Sequence, residues 1–135
     1  MAYQFMPMYN VNWPVGDGET NLKDDVLLVQ LMLTEFAAVA PMFANTLPRD
    51  ATIRPDGNYT PTLGQWIRAF QQQTSGGVAP DGKILPLQEQ DGHFVPMLGG
   101  RTATLALLNY NLLRSAPWAH RHIAERMQLK IQTGF

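Results

Sequence analysis

The chain has no cysteine, which excludes disulfides, thiolate nucleophiles and cysteine-held zinc. It has no excess of either charge. Ten Lys and Arg stand against eleven Asp and Glu, a net charge of −1, so nothing demands a nucleic-acid partner. No apolar run approaches the roughly 20 residues of a membrane-spanning helix. Residues 1–14 lack a basic stretch followed by a continuous apolar core, so no signal peptide is expected and the product is expected to begin in the cytoplasm. Serine is nearly missing. Ser75 and Ser115 are the only two, both in turn or cap surroundings, and no G-x-S-x-G nucleophile elbow exists. No Asp-rich calcium loop is present. There are three histidines, His93, His120 and His122. The last two lie two apart on a predicted helix, about 200° around it, where a helical metal pair would need i, i+4 spacing. Both read as surface residues. No enzyme, metal or cofactor is expected.

What remains is 135 residues, 45% apolar, enough for one domain with a real core. The charge is uneven along it. Residues 1–25 carry four acidic side chains and one basic, and residues 114–135 four basic and one acidic. These are either two solvated faces or two ends that attract. Residues 1–20 hold Tyr3, Phe5, Tyr9 and Trp13, too aromatic for a disordered tail, and read as an extended arm laid on the domain.

Four helices are predicted. The first runs from Leu22 to Ala40, with Asn21 as N-cap, Asp24 completing a capping box, and Pro41 ending it. Val26, Val29 and Leu33 form its core stripe, yet Leu27, Leu28, Leu31, Met32 and Phe36 fill its other faces, so it must be covered on several sides. Residues 41–55 read as a proline-broken connection. The second helix starts at the N-cap Thr60 with Pro61 at its first position. It carries Leu63, Ile67 and Phe70 inward and stops at Thr74 to Gly77. The third covers Arg101 to Leu113, with Leu105, Leu108 and Leu112 inward. The fourth opens at Ser115 and Pro117, runs to Gly134 on a stripe of Ala119, Ile123, Met127 and Ile131, and exposes a basic face.

Asp-Gly turns recur between these helices. "DGNYTPTLG" (Asp56 to Gly64) parallels "DGHFVPMLG" (Asp91 to Gly99), and "IRPDG" (Ile53 to Gly57) parallels "VAPDG" (Val78 to Gly82). Aspartate accepts local backbone hydrogen bonds and glycine takes positive φ, so each is turn chemistry, and Asp56 and Asp91 read as turn residues, not a catalytic carboxylate pair. The β-branched residue before each Pro-Asp-Gly reads as a very short strand. The repeat unit is short strand, turn, apolar plug, helix. It is continuous in the first copy and split in the second by an insert, Lys83 to Gln90, expected to protrude as a loop or small hairpin.

This pattern resembles the peptidoglycan-binding domain family of three-helix modules. Val26, Val29, Gln30 and Leu33 match its first helix. Asp56, Gly57, Tyr59 and Pro61 match its first turn, and Ile67, Phe70 and Gln71 its second helix. The second turn is matched either by Asp81, Gly82 and Ile84 or by Asp91, Gly92, Phe94 and Pro96. The resemblance spans about residues 21–113. It departs from the family at Thr60 and Val95, which replace a glycine, at Leu63, which replaces a threonine, and at Trp66, which replaces a small residue. Trp66 either fills a core gap or stands exposed as a contact.

The resemblance implies a mainly α fold. This would be a three-helix peptidoglycan-binding-like bundle over 21–113 with short strand and turn elements, an N-terminal arm over 1–20 and a C-terminal basic helix over 114–135. It implies a non-catalytic module that recognises the glycan or stem peptide of bacterial cell-wall peptidoglycan. Gln30 and Gln71 read as buried amides tying down loop backbone. A ligand docked between the turns and the second helix would meet Tyr59, Gln65, Arg68, Gln72, His93 and Arg101, which offer amides, a guanidinium fork and an aromatic face. The alternative function is a protein-interaction or structural adaptor in a phage-like or secretion assembly, with a protein partner or self-association through the apolar first helix and the C-terminal helix.

Overall fold

The computed structural model of the chain describes residues 8–132, with side chains to residue 128. The fold is mainly α. Among the described residues the helices are α1 (Lys23–Val39), α2 (Pro41–Thr46), α3 (Pro61–Gln73), α4 (Thr104–Ser115) and α5 (Pro117–Gln132). Between α3 and α4 lie two antiparallel ribbons. One pairs β1 (Gln88–Gln90) with β2 (His93–Val95), the other β3 (Met97–Leu98) with β4 (Arg101–Thr102).

The apolar surface of α1 is used up inside the chain. Every residue from Asp25 to Leu33 is buried, because α1 packs against α2, α3, α4 and α5 together. Val11 and Val15 of the arm join the same core. The expected self-association through α1 is therefore corrected: its apolar faces from Asp25 to Leu33 are covered by the rest of the described chain. The arm covers the bundle with Tyr9, Val11 and Val15, while Trp13 stands 55% exposed. Tyr3 and Phe5 lie outside the described residues.

Pro41 ends α1 as expected, but it also starts α2, since its fixed φ suits the first helical position. The connection expected to be irregular thus carries a helix, and α2 puts Phe43 into the core. There its ring lies 5.3 Å from Phe36, 6.0 Å from Phe70 and 6.1 Å from Trp66. Trp66 is buried and donates Nε1–H to the Ala51 carbonyl (2.9 Å), so it fills the core and does not stand out as a contact. Thr60 caps α3, accepting from Leu63 N.

Three helix starts differ from expectation. Asn21 does not cap α1. Its backbone is left-handed (φ 52°), and its amide is spent on the preceding turn, bonding Gly16 N and O at 2.8 Å each. Leu22 takes the cap position with no side-chain bond, and Asp24 completes no box there. Asp25 instead reaches back to the arm, accepting from Asn12 N and Trp13 N (2.9 Å each). Asp25→Asn keeps one acceptor of the two and should lower unfolding stability by about 1–2 kcal/mol in urea titration. The third predicted helix starts at Thr104, three residues late, because Gly99 and Gly100 (φ 59° and 82°) turn Arg101 back onto Leu98 as β4. Ser115 ends α4 and does not cap α5. Ala116 stands between them, its carbonyl accepting from His120 N.

The segment Lys83–Gln90 does not protrude as a unit. Ile84 and Leu87 are buried. Ile84 exchanges both backbone hydrogen bonds with Val15 (2.9 and 2.8 Å), and the Asn10 side chain clips both backbone groups of Leu87. Only Gln88–Gln90 enters a hairpin. Deleting 83–90 would remove the core residues Ile84 and Leu87.

Candidate functional site

Two corners of the chain are built alike, each pinned by a buried glutamine from an earlier helix. At the first, Gln30 of α1 accepts from Gly57 N (2.8 Å) and donates to Asp56 Oδ1 (3.3 Å) and Asn58 O (3.1 Å). Asp56 Oδ1 also accepts from Asn58 N (2.9 Å). At the second, Gln71 of α3 accepts from Gly82 N (2.8 Å) and Asp81 N (3.0 Å). It donates to Asp81 Oδ1 (2.9 Å), Lys83 O (3.1 Å) and Thr104 Oγ1 (3.0 Å). Asp81 Oδ1 accepts from Lys83 N (3.0 Å). The glycines are obligatory. Gly57 and Gly82 have φ of 82° and 71°, and a Cβ on Gly57 would lie 2.9 Å from the Lys23 carbonyl. Gln30 and Gln71 thus play the part read from the sequence, amides that tie down loop backbone.

This pairing decides between the two readings of the second turn. Asp81-Gly82 is the partner of Asp56-Gly57. Asp91 and Gly92 (φ 52° and 80°) are the two-residue turn of the β1–β2 ribbon, exposed at its tip. They launch no helix, so the likeness of "DGNYTPTLG" to "DGHFVPMLG" is one of local turn chemistry alone.

Each corner borders a hollow, and the two are lined by equivalent positions. The first is bordered by Ile53, Asp56, Asn58 and the α3 cap Thr60, the second by Val78, Asp81, Lys83 and the α4 cap Ala103. They differ in what else enters. The second receives Leu85 and Leu98 from the segment between corner and α4 and shrinks to about 50 Å³. The first stays open at about 240 Å³ and adds Thr52, Arg54 and Thr62 to its walls. The hydrogen bond from Asn58 N, with help from the Gln30 amide, holds the Asp56 carboxyl below the usual carboxylate range. A third hollow of about 320 Å³ lies between the end of α3 and α4, where Arg114 is already engaged with Asn111 Oδ1 (2.9 Å).

The sequence-predicted contact residues fall into two groups. Gln65, Arg68 and Gln72 are exposed and spaced to share one face of α3. Tyr59 approaches the same helix, its hydroxyl 2.6 Å from where a Cβ on Gly64 would sit, and the Arg68 guanidinium lies 3.5 Å from the corresponding point on Gly82. Burial raises the Tyr59 phenol pKa and Asp17 adds to this, while Arg68 and Lys83 oppose it. Lys83 is ion-paired with Glu19 (2.8 Å). His93 sits exposed on β2, and Arg101 on β4 donates to the Gly77 carbonyl (3.4 Å). No known protein family matches the chain, and no curated protein or solved structure matches it.

Sequence reasoning missed the lining of the open hollow. Thr52, Arg54 and Thr62 belong to no motif, and only the corner's geometry gathers them. It also placed His120 on the surface. His120 is fully buried, with Nε2 2.9 Å from Asn109 Oδ1 and its ring 4.7 Å from that of Tyr9. Asn109 in turn bonds both backbone groups of Tyr9, and the Tyr9 hydroxyl donates to the His120 carbonyl (2.6 Å). His122 is the exposed one, paired with Glu125. Among the described residues no group of His, Asp and Glu is placed to hold a metal ion, and no helix is long and apolar enough to cross a membrane.

Proposed function

We propose that the chain is a non-catalytic binding module for bacterial cell-wall peptidoglycan. One observation carries this reading: the glutamine-pinned Asp-Gly corner, built twice with four hydrogen bonds in common, belongs to the turns on which the resemblance to the peptidoglycan-binding three-helix modules rests. Both corners are fixed before any ligand arrives, so little ordering entropy would be lost on binding. Around them lie guanidinium, amide and hydroxyl groups that suit a polar, uncharged-to-amphoteric polymer. The test is retention of the full chain on purified, insoluble sacculi at low salt. Retention is expected, and a folded protein that stays in the supernatant overturns the reading.

A second reading, an adaptor in a phage-like or secretion assembly, is favoured by a different observation. Trp13, Met42 and Trp118 stand 55%, 77% and 54% exposed, more bare apolar surface than a wall-binding module needs. With α1 buried, the C-terminal helix is the remaining candidate among the two helices for self-association. Light scattering across a concentration series separates the readings: a constant monomer mass with sacculus retention supports the first, a rising mass without retention the second.

A further inference from the structure

We infer that the ligand site is the open hollow at the first corner, and that it takes an extended amphoteric peptide, the chemistry of a cell-wall stem peptide, and not a sugar ring. This rests on the peptidoglycan reading above and names the part of the polymer that is held. The internal repeat supplies the main argument. The equivalent hollow at the second corner is narrowed to about 50 Å³ by the chain itself, because Leu85, which follows the Val15–Ile84 bridge, and Leu98 of β3 form part of its wall. Side chains projecting from extended segments are thus what closes down such a corner hollow. The first hollow has no occupant from the described chain and is several times larger.

Its walls say what kind of peptide. Where the second hollow has Ala103, two leucines and the single threonine Thr104, the first has three threonines, Thr52, Thr60 and Thr62. It also presents both charges. Asp56 is held ionised by its corner hydrogen bonds. Arg54 is exposed and, among the described residues, its side chain makes no ion pair or hydrogen bond. A carboxylate on the ligand would take the Arg54 fork, and an ammonium the Asp56 carboxylate. No aromatic ring lines the hollow. Tyr59, the corner's aromatic residue, packs towards Gly64 on α3, so the stacking face that sugar recognition favours is turned elsewhere.

The full chain, bound to sacculi, is challenged with two soluble probes. One is a free stem tetrapeptide carrying one side-chain ammonium and a terminal carboxylate, the other an N-acetylglucosamine tetramer. The peptide should displace the protein and the sugar should not. Arg54→Ala should weaken retention by about tenfold, with an unchanged melting curve, and Arg121→Ala on the far helix should leave retention as it was. Displacement by the sugar alone overturns the ligand class. Undiminished retention of Arg54→Ala, or loss confined to Arg68→Ala, overturns the location while leaving peptidoglycan binding intact. Failure of the unaltered chain to bind sacculi removes both proposals together.

Discussion

Gln71→Ala should destabilise the protein by about 3 kcal/mol, read as a drop in unfolding free energy by urea titration. The side chain is buried and serves five partner atoms on two segments: Asp81 N and Oδ1, Gly82 N and Lys83 O on one, and Thr104 Oγ1 on the other. Removing it strands the buried Gly82 N–H and the Thr104 hydroxyl without water to replace the amide, at roughly 1–3 kcal/mol for each group left unsatisfied. Gln71→Glu discriminates the mechanism. A carboxylate can still accept from Gly82 N, but it cannot donate to Asp81, which it would repel. That variant should be as unstable as the alanine at neutral pH and partly recover as acid protonates the pair. Gln30→Ala should cost less, about 2 kcal/mol, because the first corner has fewer bonds and no second helix hangs on it. Equal stability of Gln71→Ala and the parent chain would mean that the corner does not depend on its amide.

The second large effect is a loss of stability in mild acid. His120 is buried with its Nδ1 unpartnered, and burial lowers its pKa from 6.5 to about 4. The folded chain therefore resists the proton that the unfolded chain accepts. Stability from this source is complete above pH 6.5, falls as the pH drops towards 4, and changes no further below that. The difference amounts to about 3 kcal/mol. His120→Gln should flatten the pH dependence of the urea midpoint between 6.5 and 4, leaving only the carboxylate losses at lower pH, to which Asp56 belongs. Because Asn109 Oδ1 accepts from both His120 Nε2 and Tyr9 N, the loosening should appear first as release of the arm.

Much of the helical frame was legible because its signals are periodic and local. The stripes Leu63, Ile67, Phe70 and Leu105, Leu108, Leu112 all lie in the core, and Thr60 with Pro61 marked the start of α3 to the residue. What failed was any inference that needed a distant partner. Asp91-Gly92 and Asp81-Gly82 carry the same turn chemistry, and only the approach of Gln71 distinguishes a buried corner from a hairpin tip. Asn21 looked like a cap until its amide was claimed by Gly16. His120 differs from His122 by facing Tyr9 and Asn109, the former 111 residues away in sequence. The open hollow was invisible for a related reason, since Thr52, Arg54, Thr60 and Thr62 acquire a common purpose only once Gln30 has folded the loop between them.

The second corner is complete in itself. Its glutamine bonds the aspartate, the glycine and the Lys83 carbonyl, and the chain is picked up again at Thr104, where the same glutamine holds the start of α4. Whatever is strung between those two anchorage points is therefore decoupled in length from the helical frame, apart from the few side chains it returns to the core. The ribbons behave as a cassette on a fixed mount. A lineage could lengthen, shorten or redecorate their tips at Asp91 and Gly99 without re-registering a single helix, and diversify its surface while the frame stays the same.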